Sequence, residues 1–423
     1  METGCPPEIP AVSPTFFGPG ACNYSELGEV RMDFHLSDEQ RAIQDLARTF
    51  AREELIPGCA AFDRLADGED AFPWDLVERG SKLGFNALAI PTKYGGAGAN
   101  VLTQCLVMEE LSAGDPAVSK VYSHNWKALF GLMAIASEEQ VLRVIPDFIE
   151  DPRYCLGIAM TEPNSGSDNS LPYAGDTKSG PMLSAVRDGD HYVLNGLKKF
   201  IAMGKQAKML TVFGRTDKSV PWTEGTSAFL LFPPKEGFEI GRLHDKVGLR
   251  LYPQFDLLFD NVRIPVEDRL GEEGTVHASR RNITNIGTLE ATSTALGIAR
   301  HAYELAVEYA KERVQGGKPI IEHHAIGTLL LEMFTRLEAS RTLLWRSACS
   351  IDNGGDDDPK LARATKVMAV ETLNYIASHA VEVWGGMGVM KEAPMEKIYR
   401  DAIQLYHMGA TNQLNILKAL PLL

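Results

Sequence analysis

The chain contains 423 residues, 44% of them apolar and 23% charged, and carries a formal charge of −14. That length supports several lobes around sizeable cores, and the composition is that of an ordinary globular protein. The acidic balance argues against a nucleic-acid partner gripped through its phosphates.

No apolar run approaches the ~18 residues that a membrane-crossing helix needs, and the N-terminus lacks the basic-then-apolar layout of a secretory signal. Cysteines at Cys5, Cys22, Cys59, Cys105, Cys155 and Cys349 form no C-x-x-C pair. Reduced thiols in a cytoplasmic protein are expected, with neither a disulfide framework nor a zinc site.

Residues 1–32 are rich in Pro and Gly, lack periodicity, and read as an irregular extension. The first helix is expected at "LSDEQRAIQDLARTFAREEL", where Ser37 and Gln40 form a capping box and Ile43, Leu46, Ala47 and Phe50 share a face. Helical patterns continue through "WDLVERGSKLGF", "LTQCLVMEELSAG" and "SEEQVLRVIPDFIED".

The texture changes near Cys155. The runs "GDHYVLNGLKKFIA", "MLTVFGRT", "TSAFLLFPP" and "QFDLLFDNVRIP" are aliphatic and aromatic, are punctuated by Gly, Asp and Pro, and read as strands of an antiparallel β domain. Asp188-Gly189 is a candidate hairpin turn. Beyond Gly271 three long helical patterns follow, two of them separated by "DNGGDDDP". The expected domains are therefore a helical one over 33–155, a β domain over 156–270 and a helical bundle over 271–423. No internal repeat is visible.

The most informative string is "AMTEPNSGSDNS", residues 159–170. It reads as a turn-rich loop that presents hydroxyls at Thr161, Ser165 and Ser167 and lets a flat ligand approach backbone N–H groups. Its wording resembles the signature loop of the acyl-CoA dehydrogenases. The resemblance extends through "YGGAGAN", "EELSAGDPAV", "LNGLKKFIA", "KVGLR", "DNVRIPVEDRLGEEG", "YAKERVQGGKPIIEHHAIG" and "GGMGVMKEAPMEKIYRDA", in the family's order.

That resemblance implies an α+β, mainly α fold: an N-terminal helical domain, a central antiparallel β domain and a C-terminal four-helix bundle. It also implies FAD, an acyl-CoA substrate, a homotetramer built as a dimer of dimers, and an electron-transferring flavoprotein as acceptor.

By match, Ile158, Ala159, Met160 and Thr161 contact the flavin, and Ser167 lies between flavin and substrate. Phe200, followed by Ile201, stands where an aromatic residue covers the flavin, and Ala202 replaces the Thr or Ser that usually supports its N5. Arg313 matches an arginine that holds the FAD pyrophosphate of a neighbouring subunit, a role that suits its forked donors. Gly316 replaces a usual Phe, while His324 and Glu382 each replace a usual Gln. Gly385 and Gly386 allow close backbone approach, and Thr411 and Gln413 match the last FAD contacts. Adjacent His323 and His324 point about 100° apart on a helix and cannot share an ion, so no metal site is expected.

The family's base, a glutamate that removes the proton beside the thioester, is missing. Gly409 occupies the usual position and Ala410 the next one. Gly287 occupies the alternative position, amid Asn285, Ile286 and Thr288 of the CoA-binding stretch. Glu290, one turn beyond Gly287, and His407, two residues before Gly409, are the candidate relocated bases.

A bulky or cyclic acyl group would also account for two glycines in one pocket. Redox-neutral desulfination or decarboxylation is an alternative, although "YGGAGAN" lacks the arginine of sulfinate-releasing relatives. A non-catalytic acyl-CoA-binding flavoprotein is the reading from a different class.

Overall fold

The computed structural model describes residues 34–63, 71–171, 176–279, 284–354 and 359–423, so the expected irregular extension lies outside the described residues. The N-terminal helices are α1 (Asp38–Phe50), α2 (Ile56–Asp63), α3 (Trp74–Lys82), α4 (Val101–Gly114), α5 (Pro116–Met133), α6 (Glu138–Leu142) and α7 (Ile145–Glu150). Local chemistry sets several boundaries. Asn100 Oδ1 accepts from Thr103 N at 3.0 Å to start α4, and Asp115 Oδ1 accepts from Ala117 N and Val118 N to start α5, with Pro116 in its first turn. Ser137 and Gln140 form a reciprocal capping box on α6. The expected helix over "SEEQVLRVIPDFIED" is broken into α6 and α7, because Pro146 has no N–H to bond back to Leu142 and its ring clashes with that carbonyl, so it is accommodated only in the first turn of a new helix.

The sheet is built from β1 (Cys155–Ala159), β2 (Ser184–Asp188), β3 (His191–Ala202), β4 (Ala207–Arg215), β5 (Thr226–Leu231), β6 (Phe238–Leu243), β7 (Gln254–Pro265) and β8 (Arg269–Leu270), with the short helix α8 (Trp222–Gly225) before β5. The strand order is β6-β7-β3-β2-β4-β5-β8, with β1 added beside β4. Most pairs are antiparallel, as expected, but β1 runs parallel to β4. Asp188 pairs with His191 across a tight turn whose Gly189 has φ +62°. The sheet buries Tyr192, Leu194, Leu210, Val212, Phe229, Leu257 and Phe259 in its own core.

After the sheet come α9 (Val276–Ser279), α10 (Thr284–Glu312), α11 (His324–Asp352), α12 (Pro359–Trp384), α13 (Met395–Gln404) and α14 (Asn412–Ala419). A two-stranded hairpin, β9 (Val314–Gln315) and β10 (Lys318–Pro319), interrupts the path from α10 to α11. Its turn holds Gly316 at φ +63° and Gly317 at φ +84°, conformations that a phenylalanine at 316 would strain.

Helix α10 runs through the middle of the main core. Its Ala295, Ala299, Ala302, Ala306 and Ala310 are fully buried at three- and four-residue spacing, which lets neighbouring helices approach closely. Among the described residues, no helix is long and apolar enough to cross a membrane.

Candidate active site

A cleft of about 1090 Å³ opens where the sheet meets the C-terminal helices. Its walls come from the end of β1 (Ile158, Met160), the loop that follows (Thr161, Gly166, Ser167), Phe200 of β3, His244 and Lys246 after β6, Gly287 and Thr288 of α10, and the α13–α14 loop from His407 to Thr411.

The loop after β1 is clamped from within. The fully buried Lys198 of β3 donates to Met160 O at 3.0 Å and to Glu162 Oε1 at 2.7 Å. Glu162 also accepts from Met182 N and Leu183 N, and Asp168 accepts from Gly166 N and Gly180 N. Burial pushes the Lys198 ammonium down to about 8, and Glu162 opposes that shift. Phe200 has a left-handed φ of +59° and its ring lies 4.4 Å from that of His244, which is itself paired with Asp256 at 2.7 Å. A non-glycine residue in that region is strained, a common property of functional positions.

The α13–α14 loop is equally constrained. Gly409 has φ +64° and Ala410 φ +73°. A Cβ placed on Gly409 would lie 2.8 Å from Ala291 Cβ, so the loop rests directly on α10. Lys366 of α12 donates to Ala410 O and to Asn412 Oδ1, each at 2.8 Å, and burial lowers its pKa to about 8. Thr411 Oγ1 accepts from Leu414 N at 3.1 Å and caps α14.

The cleft is positive although the chain is acidic. Lys127, Lys246, Arg363 and Lys418 line it, against the carboxylate of Asp245. Burial lowers Lys246 to about 7, and its Nζ donates to Leu249 O and Tyr252 O. Thr211 Oγ1, Thr226 Oγ1 and Trp222 Nε1, from residues of the same wall, are buried and have no hydrogen-bond partner among the described residues. Buried polar atoms of this kind call for a polar ligand or ordered water.

A second cavity, of about 20 Å³, shares Lys127 and Gly287 with the cleft and is otherwise walled by residues such as Cys105, Met108, Ser123, Trp126 and Glu290. Behind it, Lys120, Ser123, His124 and Lys127 form a polar stripe on α5 at i, i+3, i+4 and i+7. Glu290 Oε1 accepts from both Lys120 Nζ and Ser123 Oγ in a nearly buried cluster. Burial acts to raise the Glu290 pKa, but Lys120 and Lys127 outweigh it and hold the carboxyl below its usual range. His124, driven down to about 3 by burial and the two ammonium groups, shares a 2.6 Å hydrogen bond with Tyr252 Oη through Nδ1.

The residues singled out from sequence fall into separate places. Ile158, Met160, Thr161, Ser167, Phe200, Gly287, Thr288, His407, Gly409, Ala410 and Thr411 converge on the cleft. Ala159, Ile201 and Ala202 are buried in its supporting layer. Glu290 lines the inner cavity, and the side chain of Asn285 lies outside the described residues.

Arg313, His324, Glu382, Gly385, Gly386 and Gln413 are exposed. The first five sit at the end of α10, the start of α11 and the end of α12, where Glu382 pairs with His379 at 2.7 Å. From Lys366, which holds the cleft loop, to Glu382 along α12 is about 24 Å at 1.5 Å per residue. Among the described residues no cluster suits a metal ion, and Cys59, Cys105, Cys155 and Cys349 are free thiols.

Sequence reading missed Lys120, Ser123, Lys127, Glu162, Lys198 and Lys366. The stripe on α5 was visible in "KVYSHNWK", where polar residues recur at helical spacing inside an otherwise apolar segment. The long-range partners carried no local signal.

Three family models cover most of the chain: the N-terminal, middle and C-terminal domains of acyl-CoA dehydrogenase match residues 37–151, 157–262 and 280–417. An acyl-CoA dehydrogenase of Bacillus subtilis is 34% identical over 90% of this chain and 96% of its own length. The caffeyl-CoA reductase-Etf complex subunit CarC of Acetobacterium woodii is also 34% identical, over 87% of this chain and 93% of its own. Butyryl-CoA dehydrogenase from Megasphaera elsdenii superposes with a TM-score of 0.85 at 30% identity, covering 92% of this chain and 99% of that one. With the helices, sheet and cleft in that arrangement, the chain belongs to the acyl-CoA dehydrogenase family of flavin-dependent oxidoreductases acting on CH–CH groups.

Proposed function

We propose that the cleft holds FAD and a compact acyl-CoA thioester side by side, and that the enzyme oxidises the acyl group. The observation that carries this reading is the charge of the cleft: ammonium and guanidinium groups from four residues gather in a chain of formal charge −14. Ligands rich in phosphate suit such a lining. The unpartnered atoms of Thr211, Trp222 and Thr226 add polar groups that a ligand would satisfy, so the residues present fit a flavin dinucleotide. Thr161, Ser167 and Phe200 would hold it, and when bound it would supply the hydride acceptor.

The exposed set at Arg313, His324, Glu382, Gly385 and Gly386 stands about 24 Å along α12 from the cleft loop. Both sets serve one FAD only if a second copy brings its exposed set to this cleft, which supports a homotetramer of paired subunits. An Etf-type acceptor is supported by the relative that is a subunit of an Etf complex.

His407 is the candidate proton acceptor, since it lines the cleft two residues from Gly409. Glu290 is bound by Lys120 and Ser123, which makes it a counter-ion first. Gly287 and Gly409 line the cleft with their Cβ positions bounded by Lys127 and Ala291, whereas the inner cavity of about 20 Å³ has room for roughly one water. A large cleft above so small an inner cavity favours a broad or ring-bearing acyl group over a long straight chain. A redox-neutral elimination is the second reading, favoured because Asp245 is the carboxylate found among the described residues of the cleft wall.

The test is anaerobic titration of the FAD-loaded protein with linear, branched and cyclic acyl-CoA thioesters. Bleaching of the flavin band by compact groups supports oxidation. Product formation without bleaching supports elimination, and a chain unable to retain FAD defeats both. His407→Gln should slow bleaching by about 10²–10⁴-fold if the imidazole accepts the proton.

A further inference from the structure

We propose that His244 and Asp256 are positioning residues, which hold the Phe200 ring in the cleft wall and so present it to the flat ring system of a bound flavin. This inference rests on the reading of the cleft as an FAD site.

Strand β7 loses register with both of its neighbours at one residue. Lys198 pairs with Leu257 and Ile201 with Phe255, so Lys199 and Phe200 of β3 together face Asp256 alone. On the other side, Ile240 pairs with Leu257 and Leu243 with Phe255, so Gly241 and Arg242 of β6 also share Asp256. Asp256 therefore stands opposite a bulge on each flanking strand. A bulge bends its strand, takes a residue out of the ladder and re-aims side chains.

The β3 bulge shapes the cleft in two ways. Lys199 N donates to Thr161 O at 2.8 Å, which ties the bulge to the loop after β1. Phe200 takes a left-handed conformation, φ +59°, where glycine is the residue that fits without strain. Its ring lines the cleft yet is 47% exposed, so apolar burial supplies only part of what keeps it there.

His244 supplies the rest. Its ring centroid lies 4.4 Å from that of Phe200, with the planes inclined at 50°. The imidazole Nε2 shares a 2.7 Å hydrogen bond with Asp256 Oδ1, and the backbone N of His244 donates to Gln254 O at 2.9 Å. Lys246 Nζ pins the loop that follows, through Leu249 O and Tyr252 O. Asp256 thus faces the bulge that carries Phe200 and also orients the imidazole that touches it. Strain kept in place by its surroundings at a cleft marks a ligand contact. An aromatic ring there suits the conjugated part of FAD, whereas the phosphates suit the cationic lining.

The test uses the FAD-loaded protein. The Kd of FAD is read from the fluorescence of cofactor released on dilution, and the flavin absorption and circular dichroism bands are recorded alongside. His244→Leu and Asp256→Ala should each raise the Kd by about 2–10-fold, the range of one aromatic contact, and shift the bands. Asp256→Asn, whose amide oxygen still accepts from the imidazole, should keep the wild-type bands. Phe200→Gly, which the left-handed backbone accommodates, should reproduce the loss by itself. Adding His244→Leu to Phe200→Gly should then change neither Kd nor bands further.

Wild-type Kd and bands in His244→Leu overturn the positioning role while leaving the FAD reading intact, and so does Asp256→Asn losing as much as Asp256→Ala. An effect of His244→Leu that persists in full beside Phe200→Gly makes His244 a direct contact or a general support of the fold, and also overturns the role. A wild-type chain that retains no FAD overturns the cofactor reading, and the positioning role with it.

Discussion

Gly409 and Gly287 both line the cleft, and a carboxylate base would be expected at one or the other, yet their backbones make opposite demands. Gly409 sits in a loop at φ +64°, with Ala291 2.8 Å from where its Cβ would be. Gly287 lies within α10, and a Cβ there meets the Lys127 stem at an ordinary 3.4 Å. A glutamate at 409 would need the loop to be rebuilt. At 287 it would fit, and it would meet an ammonium group from another helix. The first absence is built into local conformation; the second is an exchange of side chains across a helix pair.

The largest expected effect is on the 287 side. Glu290→Gln leaves Lys120 as an uncompensated buried charge and should lower the unfolding free energy by about 3–5 kcal/mol in urea titration. A loss below about 1 kcal/mol would mean that Glu290 is no counter-ion and would revive it as a base.

On the 409 side, Lys366→Met removes the ammonium that holds Ala410 O and Asn412 Oδ1 and should cost about 2–3 kcal/mol. Hydrogen exchange at residues 409–412 should rise with it. Protection that stays at the wild-type level would show that the loop is held by its own backbone.

Acid provides a third probe. The unfolded chain protonates His124 near 6.5, whereas the folded chain resists protonation until about 3. Stability from this group is complete above pH 6.5 and falls as the pH drops, by about 1.4 kcal/mol per pH unit, until the folded value is reached. His301, lowered to about 4, adds a similar slope. Replacement by His124→Gln should flatten the wild-type curve between pH 6 and 4, and equal slopes would place the sensitivity elsewhere.

The smallest effects compare the glycines directly. Gly409→Ala should destabilise by about 1–2 kcal/mol through its left-handed backbone. Gly287→Ala, in a helix, should stabilise by about 0.5–1 kcal/mol. Thermal melts showing the same sign for both would erase the distinction.

Much of this molecule was legible in its sequence. The strand runs at 191–202 and 254–265 alternated or clustered apolar residues, and the turn at Gly189 joins the first to its β2 partner, whereas the pairing of the two runs with each other is long-range. The loop after β1 announced itself in hydroxyls and glycines, and Ile158, Thr161 and Ser167 do meet His407 and Gly409 at one cleft. Less legible was the short strand Ser184–Asp188, which has little apolar content to mark it. The hairpin at Val314–Pro319 was hidden because its two-residue strands are below any periodicity window.

Sequence by itself determined what depends on neighbours along the chain: helix caps at Asn100, Asp115 and Ser137, the turn at Gly189, the order of helices and strands, and the signature loop that marks the family. Tertiary structure decided what depends on distance through space. Lys120 and Glu290 are 170 positions apart, and Lys366 reaches Ala410 across 44. Lys127 and Gly287 come together only because α5 packs beside the start of α10. A charge's role is set by its burial and its partners, and neither exists until the helices that carry them have packed.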